Sequence, residues 1–264
     1  MTTLNCSIVC GENKVGMKRK KIEHFIIKKV GTAINQYSMI CEGDKVLVAV
    51  SGGKDSLALL NVLQERKKHL PIDYTLKAVH ISTDYENNPH INKRKLIEFF
   101  ESIGCEYVFK EIAIAKTNKL KREDCFWCSW NRRKTLFETA DELGFTKIAF
   151  GHHKDDIVET ILMNMIWNGE LSGINPVQSL FRGKIIVIRP LVLLEEKDIR
   201  DYVESIKLVA IKSRCPRNYD SKRAVIKEII QRLVKENPDI KTNIIKAPHR
   251  IKSDYLFDIT DLAG

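Results

Sequence analysis

A chain of 264 residues is long enough for one large α/β domain, and 44% hydrophobic with 30% charged residues is typical of a water-soluble protein. No apolar run is long enough to cross a bilayer and no signal-peptide pattern stands at the start, so we expect no membrane partner and a cytoplasmic location. The net charge of +10 is concentrated in residues 14–29, with seven Lys/Arg and one Asp/Glu, and residues 207–252, with thirteen and four. Two basic ends indicate a polyanionic partner, most simply a nucleic acid, although a solvated basic surface would have the same composition.

The chain is predicted to begin with a disordered leader, residues 1–17, and to continue into an amphipathic helix over 18–37 whose polar face is basic. Strands and helices then alternate. Strands are predicted at 45–50, 75–81, 106–112, 147–150 and 185–188, and helices near 55–67, 91–103, 125–143 and 155–167. This alternation predicts an α/β fold with a parallel five-stranded sheet covered by helices on both faces, in a domain of residues 41–200. Residues 1–40 and 201–264 are then basic helical extensions.

The most informative motif is Ser-Gly-Gly-Lys-Asp-Ser at residues 51–56, hereafter the glycine loop. It connects the first predicted strand to a helix, and a helix N-terminus offers N–H groups and a positive dipole end to an anion. Two glycines allow the backbone to approach a phosphate closely, and Lys54 adds a cation. The spacing differs from that of the common P-loop. The motif resembles instead the loop of ATP-dependent adenylating enzymes, which cleave ATP between its α and β phosphates. An ordinary strand-to-helix turn rich in small residues is the alternative.

A second motif, Gly-His-His-Lys-Asp-Asp at residues 151–156, follows the fourth predicted strand. Because the carboxyl ends of parallel strands share one edge of a sheet, we expect the two motifs to meet there. Asp155 and Asp156 diverge by about 100° on a helix, so one can face magnesium or substrate while the other caps the helix. A purely structural N-cap is an equally good interpretation of Asp155. For His152 and His153, nucleotide contact is favoured over metal binding.

Three cysteines form the third candidate site. Cys125 and Cys128 have the two-residue gap with which two thiolates bind one metal or cluster, and basic residues surround Cys215 further along the chain. From spacing alone a redox pair, a zinc site and an iron–sulfur cluster with Cys215 as third ligand all remain open. Cys6 and Cys10 are interpreted as unrelated to a metal site.

One family shares all of these motifs in the same order. The chain resembles the tRNA 2-thiolation enzymes of the 2-thiocytidine synthetase group, in the PP-loop ATPase superfamily. The resemblance covers most of residues 20–225 and rests on the glycine loop, Cys125-x-x-Cys128 with Arg132-Arg133, Gly151–Asp156 with Glu159-Thr160, Arg189-Pro190-Leu191, and Cys215. A lone third cysteine followed by proline is closer to the related 2-thiouridine enzymes.

The resemblance implies a fold of the adenine-nucleotide α-hydrolase type and an ATP-dependent tRNA sulfurtransferase that releases AMP and pyrophosphate. It would adenylate the C2 oxygen of a tRNA pyrimidine, most simply a cytidine, and replace that oxygen by sulfur. The implied cofactors are ATP, Mg²⁺ and a [4Fe–4S] cluster, and the implied partners are tRNA and sulfide or a sulfur-donor protein. The sequence leaves open whether the chain forms a homodimer.

The same resemblance implies a set of site residues. The catalytic residues would be Lys54, Arg132 and Asp156, and the cluster ligands Cys125, Cys128 and Cys215. The cofactor-binding residues would be Ser51, Gly52, Gly53, Lys54, Asp55, Ser56, Val79, Ile81, Gly151 and His152.

Alternatives from other classes stay open at this stage. The chain would also suit 2-thiouridine formation, a PP-loop adenylating or amidating ligase with zinc at the cysteines, or a non-catalytic tRNA-binding module. Trp127 and Trp130 flank Cys128 and are expected either to stack on a flipped pyrimidine or, for one of them, to pack in the core.

Overall fold

The computed structural model of the chain describes residues 6–84, 89–113, 125–211 and 222–256, and of residues 6–16, 18, 125 and 126 it describes the backbone alone. The strands form one six-stranded sheet in the order β3-β2-β1-β4-β6-β5. They are β1 (Lys45–Ala49), β2 (Thr75–Thr83), β3 (Glu106–Ile112), β4 (Lys147–Ala149), β5 (Val177–Leu180) and β6 (Ile185–Ile188). In the described part, the α-helices are α1 (Cys6–Gln36), α2 (Lys54–Lys67), α3 (Pro89–Ser102), α4 (Cys125–Glu142), α5 (Lys154–Met163), α6 (Glu196–Ser205), α7 (Lys222–Glu236) and α8 (Ile240–Lys246).

The five predicted strands are confirmed, and they are parallel to one another. The central strand β1 pairs with β2 on one side and β4 on the other, and its Val46, Leu47 and Val48 are completely buried. A strand buried on both faces needs apolar residues at consecutive positions, which is why this run was recognisable in the sequence.

A sixth strand, β5, was missed. It pairs antiparallel with β6 at the edge of the sheet. Its Gln178 and Ser179 are exposed, so no apolar alternation marks it. The turn that follows has positive φ at Phe181 and Arg182, residue types that do not signal a tight turn.

The first helix is longer than predicted: it begins at Cys6, whereas the sequence predicted a start at residue 18. Residues 6–17 contain no proline, and extending an existing helix adds one hydrogen bond for each residue ordered. The predicted disordered leader is therefore helical from Cys6 onward. The buried residues Ile26, Val30 and Ala33 lie in the part of α1 that packs against α2 and α6.

The chain divides into two compact units. The larger contains the sheet and comprises residues 1–154 and 175–218. The smaller comprises residues 155–174 and 219–264 and has an apolar core formed by Val158, Leu162, Ile226 and Ile230. Of the predicted C-terminal region 201–264, residues 219–264 therefore belong to the same unit as most of α5, and residues 201–218 belong to the larger unit. Among the helices in the described ranges, none combines the length and apolarity needed to cross a membrane.

A buried ion pair connects the start of β4 to the loop before β1. Lys147 Nζ lies 2.6 Å from Asp44 Oδ2 and donates to the Met39 carbonyl at 3.1 Å. Removing one partner of such a pair leaves a poorly solvated charge. We expect Lys147→Met to lower the free energy of unfolding by about 3 kcal/mol in urea denaturation. The control is Lys184→Met, which breaks an exposed pair with Asp141 and should cost less than about 1 kcal/mol; equal losses would contradict the role of burial.

Candidate active site

Two serine hydroxyls hold the glycine loop in shape. Ser56 Oγ accepts from the Ser51 N–H at 3.2 Å and donates to the Gly53 carbonyl at 2.9 Å. Ser51 Oγ accepts from the Gly53 N–H at 3.3 Å. The first N–H groups of α2 have no partner within the helix, so a loop fixed at this point is suited to bind an anion such as a phosphate.

The chain just before Cys215 docks on this loop. Ile211 donates its N–H to the Gly52 carbonyl at 2.9 Å. Gly52 has φ +85°, and a Cβ there would lie 3.3 Å from Ile211 Cβ, so glycine meets both a backbone and a packing requirement. Residues 212–221, which include Cys215, lie outside the described ranges.

The second motif contacts the glycine loop through Gly151. A Cβ at Gly151 would lie 3.0 Å from both the Asp55 carbonyl carbon and the Ser56 nitrogen. Contacts this short to backbone are not relieved by a side-chain rotation, so a larger residue at this position requires the backbone to shift. The expectation that the two motifs meet at one sheet edge is therefore confirmed for Gly151.

Lys54 is held by two carboxylates. Its Nζ lies 3.0 Å from Glu196 Oε1 and 3.2 Å from Asp55 Oδ2. Burial alone would lower the pKa of Lys54, but the negative charges of Asp55 and Glu196 outweigh it and raise the pKa above its usual value. The lysine therefore remains a cation at the mouth of the loop. Next to it, Lys154 pairs with Glu195 at 3.2 Å, so consecutive glutamates at the start of α6 hold two lysines.

One carboxylate oxygen at this site fits a divalent cation. Among the described residues, Asp55 Oδ1 is a buried oxygen without a hydrogen bond, and His153 Nε2 stands 3.9 Å away. Carboxylate oxygens are preferred ligands of Mg²⁺, either directly or through its waters. The loop backbone, Lys54 and this oxygen together provide what a magnesium–triphosphate group requires.

His152 is positioned by a buried arginine. Arg189 Nε donates to His152 Nδ1 at 3.3 Å, and its two remaining nitrogens donate to the Asn175 carbonyl and to Gln178 Oε1. Burial lowers the pKa of Arg189 to about 10, and the nearby charge of Arg133 contributes. This network explains why Arg189 follows the last parallel strand, and it ties His152 to the sheet edge.

Strand β2 turns Val79 and Ile81 away from the solvent. Val79 is buried in the core cluster and Ile81 packs against it, so Val79 can meet a nucleotide only through its backbone. His80 and Ser82, on the other face of β2, line a cavity of about 360 Å³ at the ends of β2 and β3, together with Phe109 of β3. Side chains alternate along a strand, so this pleat decides which residues are accessible.

In the smaller unit, one arginine contacts the acidic residues at and just after the end of the second motif. Arg223 Nη1 lies 2.9 Å from Asp156 Oδ1 and 3.6 Å from Glu159 Oε2. Its other terminal nitrogen donates to Thr160 Oγ1 at 3.5 Å. Arg223 therefore orients Asp156, and it also contacts Glu159 and Thr160, which follow the motif.

Asp155 has a different partner from its neighbour. Lys241 Nζ lies 2.6 Å from Asp155 Oδ1, and both side chains are largely buried. Helix α5 already begins at Lys154, so the interpretation of Asp155 as the N-cap is wrong. Its carboxylate instead neutralises a buried lysine within the smaller unit.

The cysteine site is described only in part. Cys125 is the first residue of α4, and the half-buried Cys128 follows three residues later, a spacing that puts both on one helix face. This donor set fits a metal or cluster. Within the described residues no group of three His, Cys, Asp or Glu is arranged to bind a metal ion, but Cys215 and the Cys125 side chain lie outside them. Arg132, on the same helix, is half-buried.

Four residues that contact the motifs were not found by sequence reasoning: Glu196 and Ile211 in the larger unit, and Arg223 and Lys241 in the smaller unit. Each acts through a partner remote in the chain, and none belongs to a compact motif. The only sequence signal for the two basic residues was the excess of positive charge in the C-terminal region.

Comparison with known proteins agrees with this geometry. The family model for the PP-loop domain matches residues 22–233. The chain is 35% identical to a tRNA-cytidine(32) 2-sulfurtransferase of Polynucleobacter asymbioticus, over 93% of this chain and 82% of that protein. It is 36% identical to the protein of the same name from Burkholderia cenocepacia, over 94% of this chain and 76% of that protein.

Two solved structures are also similar. The U34-tRNA thiolase NcsA from Methanococcus maripaludis, solved with its [4Fe–4S] cluster, has a TM-score of 0.75 and 25% identity, covering 91% of this chain and 84% of that one. NMN synthetase from Francisella tularensis has a TM-score of 0.50 and 12% identity, covering 91% and 98%, which shows a shared fold alone.

The Gly151 contact generates a prediction about nucleotide binding. Gly151→Ala forces a Cβ against the backbone at the start of α2, so we expect ATP affinity, measured by equilibrium dialysis, to fall by about tenfold or more. The control is Gly43→Ala: Gly43 has φ +76° but nothing within 4 Å of an added Cβ, so this variant should lose stability without losing ATP affinity. Unchanged affinity in Gly151→Ala would contradict the contact.

The smaller unit contains an acid that titrates near neutrality. Burial raises the pKa of Glu159 to about 7; Asp156 and Asp155 add to the rise, while Arg223 and Lys227 oppose it. Because the folded pKa is the higher one, the proton stabilises the fold fully below pH 4.5, and this stability is lost as the pH rises through 7.

In the wild type we therefore expect the free energy of unfolding to fall by on the order of 2 kcal/mol as the pH rises through this range, and we expect Glu159→Gln to abolish that fall. Urea denaturation at a series of pH values measures both. Glu228→Gln, at an exposed position of α7, is the control and should keep the wild-type profile. Parallel profiles for wild type and Glu159→Gln would contradict the assignment.

Proposed function

The chain belongs to the PP-loop family and, within it, to the tRNA-cytidine 2-sulfurtransferases, and on this basis we propose that it converts a cytidine of tRNA into 2-thiocytidine in an ATP-dependent reaction. The observation that carries the proposal is the packing of Gly151 on the backbone of Asp55 and Ser56. This contact brings the two motifs together, and relatives that are 35% and 36% identical over 93% and 94% of this chain are named tRNA-cytidine(32) 2-sulfurtransferases.

The glycine loop is proposed to bind the phosphates of ATP. The N–H groups at the start of α2 and the ammonium of Lys54 would neutralise the pyrophosphate as it leaves, and Asp55 Oδ1 would hold Mg²⁺ or one of its waters. Lys54 is kept charged and close to the loop by Glu196, so it can turn from this carboxylate to a phosphate without desolvating a new charge.

The C2 oxygen of a pyrimidine is a poor leaving group, and adenylation converts it into a good one. The C2 oxygen of a cytidine attacks the α-phosphorus of ATP and pyrophosphate departs. Hydrosulfide then attacks C2, and the oxygen leaves as part of AMP, so that C2 exchanges oxygen for sulfur with no net redox change. Asp156, oriented by Arg223, is proposed to contact the reacting base, and Arg132 to counter the charge that develops on it.

The sulfur site is proposed to lie at the cysteines. Cys125, Cys128 and Cys215 would hold a [4Fe–4S] cluster, which when bound supplies an iron not coordinated by cysteine, where sulfide can bind. The docking of Ile211 on Gly52 supports the participation of Cys215, because it leads the chain toward the nucleotide loop four residues before that cysteine. Hydrosulfide or a sulfur-donor protein is proposed as the source, and the enzyme is proposed to work in the cytoplasm, as a monomer or as a homodimer.

The direct test is product analysis. After anaerobic reconstitution with iron and sulfide, the chain is incubated with ATP, sulfide and unmodified tRNA, and the digested nucleosides are identified by mass spectrometry. We expect 2-thiocytidine only when both ATP and iron are present. A 2-thiouridine product would identify uridine, and not cytidine, as the modified base. A zinc-containing protein that releases AMP without any thionucleoside would contradict the proposal.

The cysteine assignment has its own prediction. Cys215→Ser should lose the iron of the cluster and its visible absorbance, and thiolation should fall below detection, because serine is a poor iron ligand in such clusters. Cys41→Ser changes an exposed cysteine outside the site and should retain both iron and activity. Full iron content and activity in Cys215→Ser would remove Cys215 from the ligand set.

A further inference from the structure

Two tryptophans on α4 form a stacked pair that is partly exposed to solvent. The rings of Trp127 and Trp130 have centroids 5.2 Å apart and planes inclined by 7°. They are 40% and 45% exposed, so the interpretation of one of them as a core residue is wrong. Large aromatic groups left in water are costly to solubility, and a paired exposed set usually marks a binding surface.

The surroundings of the pair are cationic and polar. Lys134 Nζ lies 5.7 Å from the centroid of the Trp130 ring and 3.7 Å from Glu138 Oε1, the neighbouring Arg133 is exposed, and residues 127–134 include three basic residues and no acidic one. Ser129, between the two tryptophans in the sequence, is exposed, and Asn131 donates to the Trp127 carbonyl. An apolar protein partner would require a continuous apolar patch, whereas flat rings alternating with cations match unpaired bases and their phosphates.

The helix also separates this pair from the cysteines. At about 100° per residue, positions 127, 130 and 134 share one face of α4, and positions 125 and 128 lie on the opposite face. A base stacked on the tryptophans would therefore lie across the helix from the cysteine positions. The expectation that these rings stack on the flipped pyrimidine is thus replaced by a contact with another nucleotide of the same RNA.

We propose that Trp127, Trp130 and Lys134 form a stacking platform for an unpaired nucleotide of the RNA substrate, one other than the nucleotide that is modified. The inference rests on the proposed function for the identity of the RNA. Each base that stacks on an aromatic ring contributes strongly to affinity whatever its sequence, and the lysine adds a phosphate contact that weakens with salt. The platform would therefore hold the strand while the reacting base enters the active site.

The test uses the full chain with its reconstituted cluster and two RNA probes, a short single-stranded oligocytidylate and a duplex of the same length. We expect Trp127→Ala and Trp130→Ala each to weaken binding of the single strand by about tenfold, with little effect on the duplex. The Phe variants should stay close to wild type, because phenylalanine retains a stacking ring, and the Leu variants should be as weak as Ala. Thermal melts confirm that each variant is folded.

A matched control is available in the third tryptophan. Trp167 is 36% exposed and has Lys222 Nζ 5.7 Å from its ring centroid, so it resembles Trp130 in exposure and in its cation. Trp167→Ala should leave single-strand affinity unchanged. Since the chain has three tryptophans, Trp167→Phe leaves only the platform rings, whose fluorescence should be quenched by the single-stranded probe.

Kinetics separate the platform from the reacting site. In thiolation assays the Ala variants should raise KM for tRNA about tenfold and leave kcat at saturating tRNA nearly unchanged. A collapse of kcat with normal RNA affinity would overturn the proposal in favour of contact with the reacting base. Normal RNA affinity in the double Ala variant, absence of quenching, or Leu variants as good as Phe would also overturn it, the last by indicating an apolar protein partner. The binding arms require no thiolation, so their outcome is independent of whether the proposed reaction occurs.

Discussion

The candidate site depends on the close approach of Gly151 to the backbone at the start of α2. Strands β1 and β4 are parallel neighbours, with Val48 opposite Ala149, so the segments that follow them leave the sheet side by side. A residue without a Cβ at position 151 lets those segments touch, and His153 is then carried next to Asp55. A larger side chain would separate the two motifs, and the carboxylate, the lysine and the loop N–H groups would no longer converge on one ligand.

Charge pairing prepares both units for a polyanionic substrate. In the larger unit, consecutive glutamates at the start of α6 hold Lys54 and Lys154. In the smaller unit, consecutive aspartates at the start of α5 bind Lys241 and Arg223. Half-buried charges are costly when they stand alone, and pairing offsets that cost. In the larger unit it also keeps Lys54 charged beside the glycine loop, where a phosphate can recruit it. The net positive charge of the chain is thus partly organised in advance of ligand binding.

Helix α4 shows how one element can serve two chemistries. Its periodicity places the cysteine positions on one face and the tryptophan pair on the other. The sequence presented these residues as one contiguous cluster, which suggested a single site. The helical arrangement divides the cluster into a proposed metal-binding face and a proposed RNA-binding face.

Much of the architecture followed from local signals. We could predict the five parallel strands, the glycine loop and the meeting of two motifs at one sheet edge. The signals for them, β-branched runs, glycine turns and the alternation of strands with helices, lie in consecutive residues of the sequence. The exposed strand β5 carried no such signal. Val79 and His80 are both buried but lie on opposite faces of β2, so a shift of one residue would decide which of them lines the cavity. The sequence by itself determined which residues stand at the strand ends. Only the tertiary structure decided which charges pair, as between Asp156 and Arg223, because residues so distant in the chain meet only when their helices pack.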